Sequence, residues 1–444
     1  MNKSSSPFQI ILIGVFILAA VIGVIVFASY NSASKNIASK AIIWGVMPED
    51  DMKNLLATID PQKKTLDITY IQKNEDTFES EFVNALAEGT GPDLVIIDDS
   101  KLFSWKSKLQ PLSFKNVPQR VFTDTFIDSA NIFVMQDGIY ALPFYVDPLV
   151  TYWNKTMFTD AGIVLPPKTW NELSSQIIKL TQRTDKSEII KSGVALGESV
   201  NIDHSKEIFV NLMLQGENSL IRYNSDTKRY DSVADITSTI DGVNTLDQSV
   251  SFYTSFSDPN NERYSWNKSL SKSRDVFVAN KLAMYFGYAS EYPILQRKNP
   301  NLNFDVSAIP KVENRPAVGY AKINAIALVK QSKNQAAAFN VMTKLVSNET
   351  QLALIKLVNL PSARRDLLVT SSGDNTYTDV FIKAAIQSKT WLDPNPVATD
   401  YIFREMIDTI TTGKVTSSEA RNILNQKLLR LISGGSASDV VNSL

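Results

Sequence analysis

Apolar positions along the chain change their spacing several times, and each change predicts an element. From Ile10 to Phe27 there are 18 consecutive residues without a charge, nearly all apolar, preceded by Lys3 and the Ser4–Ser6 run. At 1.5 Å per residue such a helix spans about 27 Å, close to the hydrocarbon thickness of a bilayer. The run is longer than a typical signal-peptide core. It predicts an uncleaved, single-pass N-terminal transmembrane helix, with residues 1–40 forming anchor and linker. Val26-Phe27-Ala28 and Ser32-Ala33-Ser34 are the alternative cleavage sites, and cleavage there would give a secreted protein. Lys3 on one side against Lys35 and Lys40 on the other nearly balances the positive-inside count.

Beyond Lys40 the spacing alternates between strand and helix periods. Ala41 to Val46 reads as an apolar strand, and Glu49 to Ile59 places Met52, Leu55, Leu56 and Ile59 on one helical face. Leu66, Ile68 and Tyr70 alternate as a second strand. Asp76 and Glu79 have capping-box spacing ahead of Phe78, Phe82, Ala85 and Leu86, and Gly89 can end that helix. Leu94 to Ile97 is a third strand. The order β-α-β-α-β predicts an α/β fold with a mainly parallel sheet, and open sheets of this kind bind ligands beyond the carboxyl ends of their strands. Trp44 to Val46 and Asp98 to Ser100 occupy those ends. Asp98 and Asp99, as neighbours in a strand, would point to opposite faces; a helix cap at Ser100 is their other reading.

The middle, from about Thr151 to Asn303, reads mostly as helix and loop. Asn303 to Ile309 then returns as a strand, Ile323 to Val329 follows as another, and Gln335 to Val346 and Thr350 to Val358 read as helices. Thr416 and Glu419 form a capping box before Ile423, Leu424, Leu428 and Leu431, and Ser433 to Leu444 reads as a frayed tail.

Composition removes whole classes of chemistry. With 45 basic and 46 acidic residues the formal charge is -1, so the concentrated positive face of a nucleic-acid binder is not expected. There are no cysteines and one histidine, His204, which excludes thiol catalysis, disulfides, cysteine-based metal sites and any site needing two imidazoles. No metal or cofactor is expected. His204, in the polar stretch Asn201 to Lys206, reads as a solvated loop residue. Gly89-Thr90-Gly91-Pro92 follows a helix and precedes a strand, the wrong order for a dinucleotide site, and Gly413-Lys414 ends in Val415 rather than Ser or Thr. Gly-x-Ser-x-Gly is absent from the chain. Dispersed carboxylates leave a glycosidase open, since that chemistry needs only two carboxyl groups at the correct separation.

Residues Ala141 to Leu173, ALPFYVDPLVTYWNKTMFTDAGIVLPPKTWNEL, carry a resemblance. Leu142-Pro143, Tyr152-Trp153-Asn154-Lys155, Phe158, Ala161-Gly162 and Pro166 to Leu173 resemble the family 1 extracellular solute-binding proteins, mostly carbohydrate receptors of ABC importers and distant relatives of the maltose-binding protein. Gly89 to Asp93, Phe277 with Leu282-Ala283-Met284, Leu360 to Arg364, and Gly413-Lys414 ahead of Glu419-Ala420 follow in that family's order, so the resemblance covers Ala41 to Ile432. Trp153 stands where Tyr is usual, Asn280 where Gly is common, and the lipid-anchoring cysteine is missing, which favours a transmembrane tether. Part of the signature is scaffold: Thr169 and Glu172 form a capping box, and Trp170, Leu173, Ile177 and Leu180 make a helical stripe.

The resemblance implies a two-lobed, periplasmic-binding-protein-like α/β fold that closes by hinge bending on a solute held between the lobes. It implies crossings near Tyr145–Val150, Ile309–Lys311 and Val346–Asn348. Residues 41–147 with 311–346 would form lobe 1, and 148–310 with 347–444 lobe 2. Sugars offer apolar faces and hydroxyl edges, so flat aromatics and planar polar groups suit them. The candidate aromatics are Trp44, Tyr145, Tyr285, Tyr288, Tyr320 and Trp391, and the candidate hydroxyl acceptors are Asp98, Asp99 and Asp147. Asp147 follows the Leu-Pro segment, where sugar-binding relatives place an acidic ligand contact. The expected function is non-enzymatic capture of a mono- or oligosaccharide and its delivery to transmembrane permease subunits. A sensor or scaffold without transport and an extracytoplasmic glycan-cleaving enzyme are the competing readings.

Overall fold

The computed structural model describes residues 39–62, 64–235, 244–370 and 376–441. Of the anchor and linker expected over residues 1–40, residues 1–38 lie outside the described residues, and Ser39 and Lys40 belong to the first strand. Among the described residues no helix is long and apolar enough to cross a membrane.

The first strands form where the period-2 pattern places them. Strand β1 (Ser39–Gly45) pairs in parallel with β2 (Leu66–Gln72) and with β3 (Leu94–Asp98). Helix α1 (Glu49–Ile59) buries Met52 and Leu55, and α2 (Phe78–Glu88) buries Phe78, Phe82, Ala85 and Leu86. Gly89 ends α2 with φ +71°, a left-handed conformation that costs glycine little. The start of α2 differs from the expectation: Thr77 is the N-cap residue, and its hydroxyl donates to the Glu81 carboxylate at 2.6 Å instead of accepting from the helix. Asp76 lies one residue too early to cap. Behind β3, Phe82 stacks on Trp105 with ring centroids 4.5 Å apart, and Phe78 meets the same indole edge-on at 5.2 Å.

Two long strands connect this lobe to the next. Strand β4 (Leu142–Asn154) pairs through its first half with the antiparallel β10 (Gly319–Leu328), and β10 pairs on its other edge with β3. The second half of β4 pairs with β8 (Leu282–Tyr288) and β9 (Phe304–Ser307), and β5 (Ile189–Val194) lies beyond β8. Between β5 and β8 the chain forms the β6–β7 hairpin (Ile221–Asn224, Arg229–Ser232). One sheet therefore runs through both lobes. Strand β11 (Ser388–Lys389) joins the start of β10 at the edge that β3 has left.

The middle of the chain departs from the helix-and-loop expectation here. Leu149 to Asn154 and β8 are fully buried strands, and a strand apolar on both faces shows no alternation to read. Helix α3 (Trp170–Leu180) keeps half of its expected capping box: Thr169 accepts from the Glu172 N–H at 3.2 Å, but Glu172 accepts from the Lys168 N–H at 2.6 Å rather than from that of Thr169. Helix α4 (Ser205–Gln215) is tied to the start of β10 by Gln215, which donates to Val318 O at 2.8 Å. Lys311 still accepts from the Trp170 N–H at 3.1 Å, and the helix Asn348–Val358 packs on α1.

Asn280 adopts φ +59°. A left-handed turn at that point suits Gly best, and Asn is among the next most tolerant residues. Within the expected frayed tail, Ala437–Val441 is instead a short helix, and Val440 is buried.

Phe82→Ala removes a fully buried ring from the α2–Trp105 contact. It should lower stability by about 3–5 kcal/mol, measured by chemical denaturation of the variant beside the parent chain.

Candidate functional site

The crossing of β4 and β10 builds the candidate site by register alone. Residues directly opposite in neighbouring strands project to the same face of a sheet. Asn324 is opposite both Asp98 and Tyr145, Lys322 is opposite Asp147, and Leu149 is opposite Tyr288. Tyr320, two residues before Lys322, shares that face. Five of the expected site residues, Asp98, Tyr145, Asp147, Tyr288 and Tyr320, thus come together where the sheet passes from one lobe to the other.

Two others point away. Trp44 is in register with Val95, an odd number of residues from Asp98, and lies on the opposite face. There the Lys73 ammonium sits 3.7 Å from its ring centroid. Tyr285, three residues before Tyr288, stacks on Tyr152 at 6.0 Å in the core and donates to Glu291 Oε2 at 2.7 Å. Trp391 follows β11 and meets Phe403 edge-on at 6.1 Å. It lines a separate cavity of about 670 Å³ between Ser129 to Gln136 and the β6–β7 hairpin, with Tyr223 and Tyr230 opposite it.

The adjacent aspartates have different tasks. Asp98 caps the short helical turn after β3, accepting from the Ser100 N–H at 2.9 Å and from the Ser100 hydroxyl. Asp99 is almost fully buried; one oxygen accepts from the Ile323 N–H at 2.7 Å and the other from the Thr390 hydroxyl. Its side chain continues the β3–β10 ladder past the end of β3 and attaches the segment after β11. Burial, reinforced by the Asp98 charge, pushes the Asp99 pKa up to about 7 despite those two donors.

Asp147 is buried and accepts from the Ser290 N–H at 3.0 Å. Burial raises its pKa to about 6, against the Ser290 hydrogen bond and the Lys322 charge. Lys322 is half-buried with its ammonium 4.7 Å from the Tyr288 ring centroid. Burial opposes its charge, but Glu207, Asp98, Glu75 and Asp147 outweigh that and hold the pKa above the ordinary lysine value. The Tyr288 hydroxyl is buried and has no hydrogen-bond partner among the described residues.

Sequence reasoning missed His204, Glu207 and Lys322. His204 is no solvated loop residue: its Nε2 and Glu291 Oε1 are 2.6 Å apart, and its ring meets Tyr288 edge-on at 4.7 Å. Burial works against its charged form, yet the Glu291 hydrogen bond and charge leave the pKa raised. The same Glu291 oxygen accepts from the Tyr288 N–H at 3.0 Å, so His204 and Glu291 together fix the Tyr288 ring. A signal for Lys322 was present: Tyr320, Lys322 and Asn324 alternate with apolar residues in β10, whereas the expected strand began at Ile323. Glu207 and Asn211 stand one turn apart in an otherwise largely apolar helix.

Among the described residues there is no group of three or more side chains suited to hold a metal ion. The arrangement offers hydrogen-bond acceptors, hydroxyls and one ammonium on a rigid floor open to both lobes. That is the equipment of a binding site for a polar solute.

Two α/β lobes joined through a shared sheet, with polar residues at the crossing, define the periplasmic-binding-protein-like fold. A family model described as bacterial extracellular solute-binding protein matches residues 58–376, and the chain belongs to that family. No significant match was found among curated proteins. Among solved structures, an ABC transporter solute-binding protein from Thermotoga lettingae, bound with α-D-tagatose, is 19% identical with a TM-score of 0.66 over 88% of this chain and 99% of that one. The sugar-binding protein MalE from Xanthomonas citri is 16% identical with a TM-score of 0.70, covering 89% and 98%. The cyclic α-maltosyl-1,6-maltose binding protein from Arthrobacter globiformis is 12% identical with a TM-score of 0.72, covering 89% and 99%. These likenesses establish the fold.

Because the Asp99 pKa is raised in the folded chain, the folded state binds more protons than the unfolded one between about pH 4 and 7. Stability from this group is therefore greatest below pH 4 and declines as pH rises towards 7, by at most about 1.4 kcal/mol per pH unit. Asp99→Asn should flatten that decline, read from urea unfolding between pH 4.5 and 8; an unchanged slope would refute the assignment.

Proposed function

We propose that the chain is an extracytoplasmic receptor, tethered by its N-terminal helix, that captures a carbohydrate between its lobes and delivers it to the permease subunits of an ABC importer. The observation that carries this reading is the single-face row of Asp98, Tyr145, Asp147, Lys322 and Tyr288 across the strand crossing. Carboxylates accept from sugar hydroxyls, and tyrosine rings cover sugar C–H faces while their hydroxyls bond. The sugars bound by relatives of the same fold support the carbohydrate class: tagatose in one, cyclic α-maltosyl-1,6-maltose in another.

In this reading lobe 1 is residues 41–147 with 311–346 and lobe 2 is residues 148–310 with 347–444. Two contacts adjust those limits: the helix Asn348–Val358 moves with lobe 1, on whose α1 it packs, and residues up to the start of β10 move with lobe 2. Hinge bending then occurs within β4 and β10, next to Asp147 and Lys322. A solute touching both lobes stabilises the closed form by its differential affinity for it. Asp147, Tyr288, Tyr145, Asp98 and Tyr320 are the proposed contacts. Asp99 and Tyr285 act through the groups they hold, and Trp44 and Trp391 lie outside the contact row. No bond is made or broken. The N-terminal run without a lipid-bearing cysteine supports a peptide tether, and permease delivery follows from the family's role.

A thermal-shift screen of the chain against mono- and oligosaccharides tests this directly. A ligand present at 100 times its Kd should stabilise the fold by about 2.7 kcal/mol. Asp147→Ala should weaken binding at least tenfold, roughly 1.4 kcal/mol, and the sugar should be recovered intact. Cleavage products would instead establish the glycan-cleaving reading. Sugar binding with no transport defect after deletion of the chain in cells would favour the sensor.

A further inference from the structure

The charges at the strand crossing do not balance. Glu75, Asp98 and Asp147 from lobe 1 and Glu207 from lobe 2 all act on the Lys322 ammonium, and Glu207 is also influenced by Lys206 and His204. Among the described residues none of these carboxylates lies within ion-pair distance of a cation, Lys322 included, and the neighbouring cations make their direct ion pairs with other carboxylates, His204 and Arg274 sharing Glu291. Lys206 bonds Asp393 at 3.1 Å, His204 bonds Glu291 at 2.6 Å, Arg274 reaches Glu291 at 3.5 Å, and Lys73 bonds Glu81 at 2.8 Å.

Independent features point to a missing partner at the same place. The Tyr288 hydroxyl, on a residue only 3% exposed, has no hydrogen-bond partner among the described residues and lies within electrostatic reach of Glu207, Tyr320 and Asp147. One turn along α4 from Glu207, both side-chain atoms of the fully buried Asn211 are also unpartnered. Closing the lobes over this floor expels water from carboxylates that have no direct ion-pair partner, which opposes closure unless the solute supplies one. A neutral polyol satisfies hydrogen bonds but not charge, and an anionic sugar adds to the imbalance.

We propose that the solute is a saccharide carrying a protonated amine, seated with its nitrogen between Glu207 and Asp147 and its hydroxyls on Asp98, Tyr288 and Tyr145. This refines the receptor reading and rests on it. Lys322, drawn onto the Tyr288 ring, then acts as a spacer that separates the carboxylates of the two lobes and leaves the remaining negative charge for the ligand. Uronates and phosphorylated sugars are rejected by the same carboxylates.

Calorimetric titration of the full chain with matched probes tests the proposal: glucosamine and its β-1,4 dimer, the N-acetylated forms, glucose with cellobiose and maltose, and glucuronate. The expected result is binding of the free amines at least tenfold tighter than their acetylated or hydroxyl counterparts, with no binding of glucuronate. Glu207→Gln, checked for an unchanged unfolding midpoint without ligand, should reduce that preference at least fivefold. Neutral sugars bound as tightly as the amines, or binding of glucuronate, would overturn the amine inference and leave the carbohydrate receptor standing. Silence across every saccharide would overturn both.

Discussion

Everything in this molecule depends on the antiparallel ladder between β4 and β10. It is the segment where one sheet belongs to both lobes, with Ile323 opposite Val146 and Ala321 opposite Pro148. A ladder buried on both faces would ordinarily be wholly apolar. Here one face carries Tyr145, Asp147, Lys322 and Asn324, while the other carries Val146, Ile323 and Ala325, all fully buried. The apolar face anchors the ladder in the core, and the polar face can then be presented without being satisfied internally. Pro148 lies within the crossing and lacks a backbone donor, so the ladder is thinnest beside Asp147, where bending costs least.

Around this ladder, buried charges are either tied down or left free, and the distinction sorts scaffold from site. Lys206, Asp393 and Thr399 form a closed hydrogen-bonded group between α4 and the helix Pro396–Thr411. His204, Glu291 and Tyr285 form another behind Tyr288. Both are buried networks with partners for their charged groups, the condition under which such networks rigidify a fold. Asp99 belongs with them, since both its oxygens accept hydrogen bonds from other segments. Asp147, Glu207 and Lys322 do not close in this way, and they face one another across the crossing.

How much of this was legible in the sequence follows from where polar and apolar residues alternate. The strand–helix order of residues 41–97 and the capped helix at Trp170 were readable because each carries a period and a cap. The resemblance then supplied the two lobes, which no local pattern encodes. β8 and the second half of β4 were unreadable, since LAMYFGY and LVTYW offer apolar or aromatic side chains to both faces. His204 misled because its neighbours are polar, and only the distant Glu291 turns it into a fixed support for Tyr288. Trp44 and Tyr285 were proposed for their chemistry at strand ends, and register placed both on the far face. A shift of one residue along a strand exchanges its faces, so residue type alone cannot assign a side chain to a cleft.

The same reasoning explains why the site is found at this point of the fold. Folding favours arrangements in which buried polar groups find partners, and a group left without one costs about 1–3 kcal/mol. The unpartnered Tyr288 hydroxyl and Asn211 amide are therefore a standing cost to the empty protein. Both belong to residues 148–310, on one side of the crossing, whereas Asp98, Tyr145 and Asp147 stand on the other. Taken alone, groups confined to one side bind solute in open and closed forms alike and shift no equilibrium. A solute bonded to groups on both sides would be the one that favours bending of β4 and β10.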